Sequence, residues 1–211
     1  MSVMPTIASR EVTVVLFEQF ELLDVFGPVE LLSKVPELRI TWVADSPGPV
    51  TSSQGVRVIA EQPFTHDTRA DILLVPGGAG TRQLVHDSAF LTRLTTVAKT
   101  SHLVTSVCTG SALLAAAGCL ESYRATSNKL AFEWVRGHGH DVDWVAEARW
   151  VHDRDRWTSS GVAAGMDMTA ALIAHLYGDE VARSVTQHVE YEPQRNADHD
   201  PFASLYGLVD R

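Results

Sequence analysis

Cysteine is scarce: Cys108 and Cys119 are the two in 211 residues. Their local contexts differ too much to read as a disulfide framework. No apolar run is long enough to cross a bilayer. The start, MSVMPTIASREV, has neither the basic n-region nor the long apolar h-region of a secretory leader. These absences lead to the expectation of a cytoplasmic protein. Positive charge is also short, with 17 Lys and Arg against 26 Asp and Glu and a formal net charge of -9. No Lys- or Arg-rich cluster interrupts that balance, which argues against a nucleic-acid partner. His138 and His140 have no cysteine or carboxylate at a recognisable ligand spacing, so a metal is not expected. There is no internal repeat, low-complexity segment or dividing linker. The expectation is therefore one domain over 1–211, with its core at about 11–193 and a tail at 194–211.

What is present is organised around LVTSVCTGSALLAAA, from Leu103 to Ala117. An apolar, β-branched run stops at Cys108-Thr109-Gly110, and an Ala- and Leu-rich segment of helical character follows at once. A strand that becomes a helix across three residues is a sharp elbow, which needs small residues two before and two after its apex. Ser106 and Gly110 meet that need and put Cys108 at the apex. There the positive end of the following helix favours thiolate over thiol, and Cys108 reads as a nucleophile. Residue type alone would make it a packed core cysteine; the elbow turns the reading towards chemistry. Cys119, beyond Gly118 at the end of the same helix, reads as a small hydrophobe.

Val12 to Phe17 has the continuous apolar character of a parallel strand buried on both faces. Glu18 to Pro28 reads as a loop, with a helix from Pro28 to about Ser33. Asp24, among Leu22, Leu23, Val25 and Phe26, is either a helix cap or an acid–base group whose proton affinity its apolar surroundings raise. Leu38 to Ala44 reads as a strand, and Gly48-Pro49 as a turn before an edge hairpin at Val56 to Ala60. Ile72 to Val75 is a short buried strand ending in Pro76-Gly77-Gly78-Ala79-Gly80. That loop matches neither dinucleotide nor P-loop fingerprints; it is either a tight turn or a row of bare backbone N–H groups, a candidate oxyanion hole. In an open α/β sheet the loops at the strands' carboxyl ends converge on one crevice, so Asp24, Gly78 and Cys108 can meet there.

A helix at Ser88 to Lys99 completes a crossover into the Cys108 strand. Beyond it the expectations are a short strand at Arg124 to Ser127 and a helix at Leu130 to Val135, preceded by Asn128. Late strands follow at Val142 to Val145 and Trp157 to Ser160, with His152 to Arg156 as a solvated hairpin turn. Two more helices span Met166 to Tyr177 and Asp179 to about Val189, the second capped by Asp179. From Tyr191 the chain is polar and either wraps the surface or crosses a subunit interface.

Ser106-Val107-Cys108-Thr109-Gly110-Ser111, taken with Pro76-Gly77-Gly78, Leu23 to Pro28 and Gly161 to Asp167, resembles the ThiJ/PfpI superfamily. Within it the chain resembles the isocyanide hydratases, from Val12 to about Pro193. The resemblance implies a flavodoxin-like three-layer α/β/α sandwich with a mostly parallel central sheet, usually dimerised as a homodimer. It also implies Cys108 as nucleophile with no cofactor or metal. Asp24 stands where many members have a glutamate that hydrogen-bonds the cysteine, and isocyanide hydratases are similar to this chain in having aspartate. Thr109 stands where peptidase-like relatives have histidine, which weakens peptidase and glyoxalase readings; Asn128 also replaces a common histidine. The implied activity is hydration of a small-molecule isocyanide to an N-substituted formamide through a covalent thioimidate. Cys108 would attack and Asp24 would move the proton. The N–H groups of Gly78 and Thr109 would stabilise charge, Thr109 Oγ would orient water, and Gly77 and Asn128 would contact substrate. Two alternatives stay open. One is a redox or carbonyl-stress protein with an oxidisable, low-pKa Cys108. The other is a non-catalytic ligand-sensing domain which, since the chain ends at Arg211 without room for a helix-turn-helix, would need a separate partner.

Overall fold

Strands with apolar side chains on both faces need helices above and below them, and the chain supplies these in alternation. A computed structural model describes residues 9–210. Its first half runs β1 (Arg10–Val15), α1 (Leu22–Leu32), β2 (Leu38–Ala44), β3 (Gly48–Thr51), β4 (Arg57–Ala60), β5 (Gln62–Pro63), β6 (Ile72–Val75), α2 (Thr81–Leu84), α3 (Ser88–Thr100) and β7 (Leu103–Ser106). The second half runs α4 (Gly110–Ala116), β8 (Tyr123–Ala125), α5 (Phe132–Val135), β9 (Val142–Trp144), β10 (Trp150–Asp153), β11 (Arg156–Ser159), α6 (Ala164–Tyr177), α7 (Asp179–His188) and α8 (Pro201–Leu205).

The main sheet has seven strands in the order β10-β11-β7-β6-β1-β2-β5. All neighbours are parallel except the β10–β11 hairpin. This is the mostly parallel α/β sandwich expected. Its centre is the buried run Ile72 to Val75, flanked by β1 and β7. The register pairs Ser106 with Val75 on one side and with Thr158 on the other, so the carboxyl ends of β6, β7 and β11 lie level. The segments that leave those ends therefore meet above the same edge of the sheet.

Several local expectations are corrected. The helix expected from Pro28 begins at Leu22 instead, so the stretch read as loop forms most of α1, with Pro28 inside it. Pro28 removes one intrahelical hydrogen bond; the buried face of Val25, Leu31 and Leu32 offsets that loss. Gly48-Pro49 is strand rather than turn, because it opens the antiparallel β3–β4 ribbon. The α7 cap is Gly178, at φ 90°, not Asp179. The charged turn is not simply solvated: Arg156 is buried, its Nε donating to the Cys119 carbonyl at 3.0 Å.

The tail from Tyr191 docks on the body. Tyr191 Oη donates to Asp167 Oδ1, and the Gln194 N–H donates to the same oxygen at 2.8 Å. Arg149 donates to Asp167 Oδ2 through Nε and Nη2, each at 2.8 Å, and reaches Asp200 Oδ2 at 3.5 Å. Asp200 in turn accepts from the Phe202 N–H and caps α8. Asp167 and Asp200 are both buried. None of the helices among the described residues is long and apolar enough to cross a membrane.

Candidate active site

The turn from β7 into α4 is as sharp as the small residues around it allow. Cys108 sits at φ 57°, the left-handed region that residues with a side chain occupy at a cost of about 1–3 kcal/mol. Surrounding bonds hold it there. Its N–H donates to the Ser160 carbonyl at 3.1 Å, and its carbonyl accepts from Ser127 Oγ at 2.8 Å and Ser111 Oγ at 3.1 Å. Gly110 is required because any Cβ there would run into the Val75 carbonyl at the end of β6. The sequence pattern thus produces the elbow it predicts, with Cys108 7% exposed.

Asp24 is fully buried in the first turn of α1 and caps nothing. Its Oδ2 accepts from the Gly77 N–H at 2.8 Å, and the carboxyl and the Cys108 thiol each act on the other's protonation. A Cβ at Gly77 would lie 2.9 Å from Oδ2 and crowd Thr109, so only glycine permits this approach. Burial pushes the Asp24 carboxyl up to about 8; the Gly77 bond opposes this, and the charge of Glu21 adds to it. Burial, and next the negative charge of Asp24, push the Cys108 thiol up as well. The N–H groups of Thr109 and Val162 and the Thr109 hydroxyl oppose that rise. Burial and the charge of Asp24 thus work against the thiolate that the helix end is expected to favour, and α4 is a short helix of 7 residues.

The sequence-named residues occupy distinct positions. Gly78, expected as a bare donor, gives its N–H to Thr109 Oγ1 at 3.1 Å, while Thr81 Oγ1 donates to the Gly78 carbonyl at 2.7 Å and lies 3.2 Å from Thr109 Oγ1. The Thr109 hydroxyl has the Gly78 carbonyl 3.5 Å away, and it also acts on the Cys108 thiol, against the rise that burial causes. Gly77 likewise has its N–H engaged, by Asp24. Asn128 Oδ1 accepts from the Ala131 N–H at 3.0 Å, and its Nδ2 packs against Gly161. It lines a cleft of about 170 Å³ together with Ser160, Gly161, Val162 and Phe202. Val162, at φ 41°, is a contributor that residue-by-residue reasoning missed. Its part is played by a backbone N–H, and the only signal was its place in the Gly161 to Asp167 motif. Among the described residues no group of three His, Cys, Asp or Glu could hold a metal ion.

An elbow cysteine at the carboxyl edge of a parallel sheet, paired with a buried acid from the helix after β1, defines a class of α/β protein. The chain belongs to the DJ-1/PfpI family, which it matches over residues 10–175. It is 35% identical to the isonitrile hydratase of Pseudomonas putida over 183 residues, which is 84% of this chain and 77% of that protein. It is 30% identical to the HTH-type transcriptional regulator GbdR of Pseudomonas aeruginosa over 205 residues. That match takes in 89% of this chain but only 55% of the regulator. Among solved structures, a THiJ/PfpI family protein from Pseudomonas syringae superposes with a TM-score of 0.82 at 31% identity, covering 92% of this chain and 80% of that one.

Proposed function

We propose that the protein hydrates an isocyanide to an N-substituted formamide, R–NC + H2O → R–NH–CHO, with Cys108 as the nucleophile. The observation that carries this reading is the buried Asp24 carboxyl beside the Cys108 thiol, with no cation bonded to it among the described residues. Once such a pair has released its first proton, the one it keeps can move between carboxylate and sulfur, which is what addition to an isocyanide carbon requires.

In the reacting form the proton rests on Asp24 and the charge on sulfur. The thiolate bonds to the terminal carbon and Asp24 protonates that carbon, giving R–N=CH–S–Cys108. Water then adds to the same carbon. Asp24 takes a proton from the water and passes it to nitrogen. The C–S bond breaks with its electron pair returning to sulfur, the hydroxyl proton goes to Asp24, and the formamide leaves. The N–H groups of Thr109 and Val162 and the Thr109 hydroxyl stabilise the sulfur's charge at the start and end of this cycle.

Identity to an isonitrile hydratase over most of both chains supports the reaction. A ligand-sensing role has one observation in its favour, the match to a transcriptional regulator. A homodimer, checked by sedimentation, belongs to the same proposal. The test is an assay of purified protein with a simple aromatic isocyanide, following formamide. Wild type should turn over and Cys108→Ala should not, with unchanged circular dichroism; formamide from the variant would sink the mechanism.

A further inference from the structure

Arg82, in the first turn of α2, is exposed and has no ion pair among the described residues. It is nevertheless held in place. Its guanidinium carbon lies 3.4 Å from the ring centroid of Trp134 in α5, a cation–π contact that restrains the group. On the other face of that bridge the His138 ring meets Trp134 edge-on at 4.8 Å, and its Nε2 is buried without a hydrogen-bond partner. His86 and Arg82 both act on His138 electrostatically, so these three basic side chains form one cluster.

The cluster lies at the elbow. Thr81, the residue before Arg82, has its Oγ1 3.2 Å from Thr109 Oγ1, and Thr109 follows Cys108. Arg82 thus leaves the chain one residue beyond a side chain that touches the elbow, and negative charge on Cys108 acts on its guanidinium. The acid that acts on the Asp24–Cys108 pair, Glu21, accepts from Gln54 Nε2 at 2.7 Å and leads into α1. Arg82 is thus a cation without an ion pair among the described residues, whereas the acid on α5, Glu133, is paired with Arg136 at 3.0 Å.

We propose that Arg82, braced by Trp134, is an anion-binding subsite at the entrance to Cys108, and that the organic group of the substrate ends in a carboxylate. The substrate class rests on the hydratase reading; the subsite itself does not. A planar guanidinium with free N–H edges matches a carboxylate in two parallel hydrogen bonds, and a fixed charge near a nucleophile concentrates anionic reactants there.

The test compares alkylation of Cys108 by iodoacetate and by iodoacetamide in the full chain carrying Cys119→Ala. Each rate is divided by that of 2-mercaptoethanol, so that the thiolate fraction cancels in the ratio. At low ionic strength the normalised preference for iodoacetate should be about three- to tenfold, and it should shrink in high salt. Arg82→Gln should bring it to about one, and Arg82→Lys should keep part of it, separating charge from stacking. A wild-type ratio equal to that of the free thiol, or one unchanged by Arg82→Gln, would overturn the subsite. With 3-isocyanopropanoate and its methyl ester as substrates, Arg82→Gln should raise KM for the acid and leave the ester unaffected. Formamide from the ester without preference for the acid, together with a flat alkylation ratio, removes the subsite and keeps the hydratase. An alkylation preference without formamide from either compound keeps the subsite and removes the hydratase.

Discussion

Asp24 and Asp167 invite comparison, because both are buried and both stand in the first turn of a helix, α1 and α6, which pack against each other. Asp167 receives two donors from Arg149, one from the Gln194 N–H and one from Tyr191 Oη. Asp24 receives one backbone N–H, and among the described residues its Oδ1 has no hydrogen-bond partner. Charge taken out of water must be matched or given up. The first carboxylate is matched and clasps the tail to the body. The second is unmatched and keeps a proton, which makes it useful to Cys108.

The comparison breaks most visibly at the clasp. Arg149→Met should leave Asp167 and Asp200 buried without their cation and cost about 3–5 kcal/mol in a denaturant titration. The equivalent neutralisation at the elbow should spare the fold. Asp24→Asn keeps an acceptor for the Gly77 N–H but cannot move a proton, so turnover should fall by about 10²–10⁴-fold while the unfolding midpoint at neutral pH holds or rises.

Titration sharpens the contrast. Folded Asp24 keeps its proton to about pH 8, while its ordinary value is 3.8, so between those values the native state binds the extra proton. The stability this contributes is fully present below the ordinary value and is lost as pH rises through about 8, with a slope of at most about 1.4 kcal/mol per pH unit. Thermal melts across that range should show the decline in wild type and not in Asp24→Asn. The rate of Cys108 alkylation should rise with pH through the same region as the pair releases its first proton, and the variant should lose that inflection. The smallest effect belongs to Cys119→Ala, where removal of one sulfur should cost about 1 kcal/mol and leave turnover unchanged.

Local signals made the sheet legible. Leu38 to Ala44 and Ile72 to Val75 are apolar runs with clear boundaries, and they appear as β2 and β6 with the expected bounds. The elbow was legible because crowding leaves small residues as its signature. The start of α1 was not, since Gly27-Pro28 reads as an opening while long-range burial of Val25 and Leu31 sets the true start. The clasp was illegible because its members lie 18 and more residues apart and none has a neighbour that announces its partner. Backbone donors such as the Val162 N–H carry no residue-type signal at all. Asp24 and Gly77, 53 residues apart, could be brought together on paper only through the rule that strand ends converge.

The short helix α4 also separates the two sulfurs. Cys108 precedes it and Cys119 follows it, which puts them on the order of 15 Å apart at the helical rise. A disulfide tolerates no more than about 7 Å between Cα atoms. Without unwinding α4, an oxidised Cys108 has no resolving partner in Cys119. Its return to the thiol then depends on a reductant that diffuses in from outside.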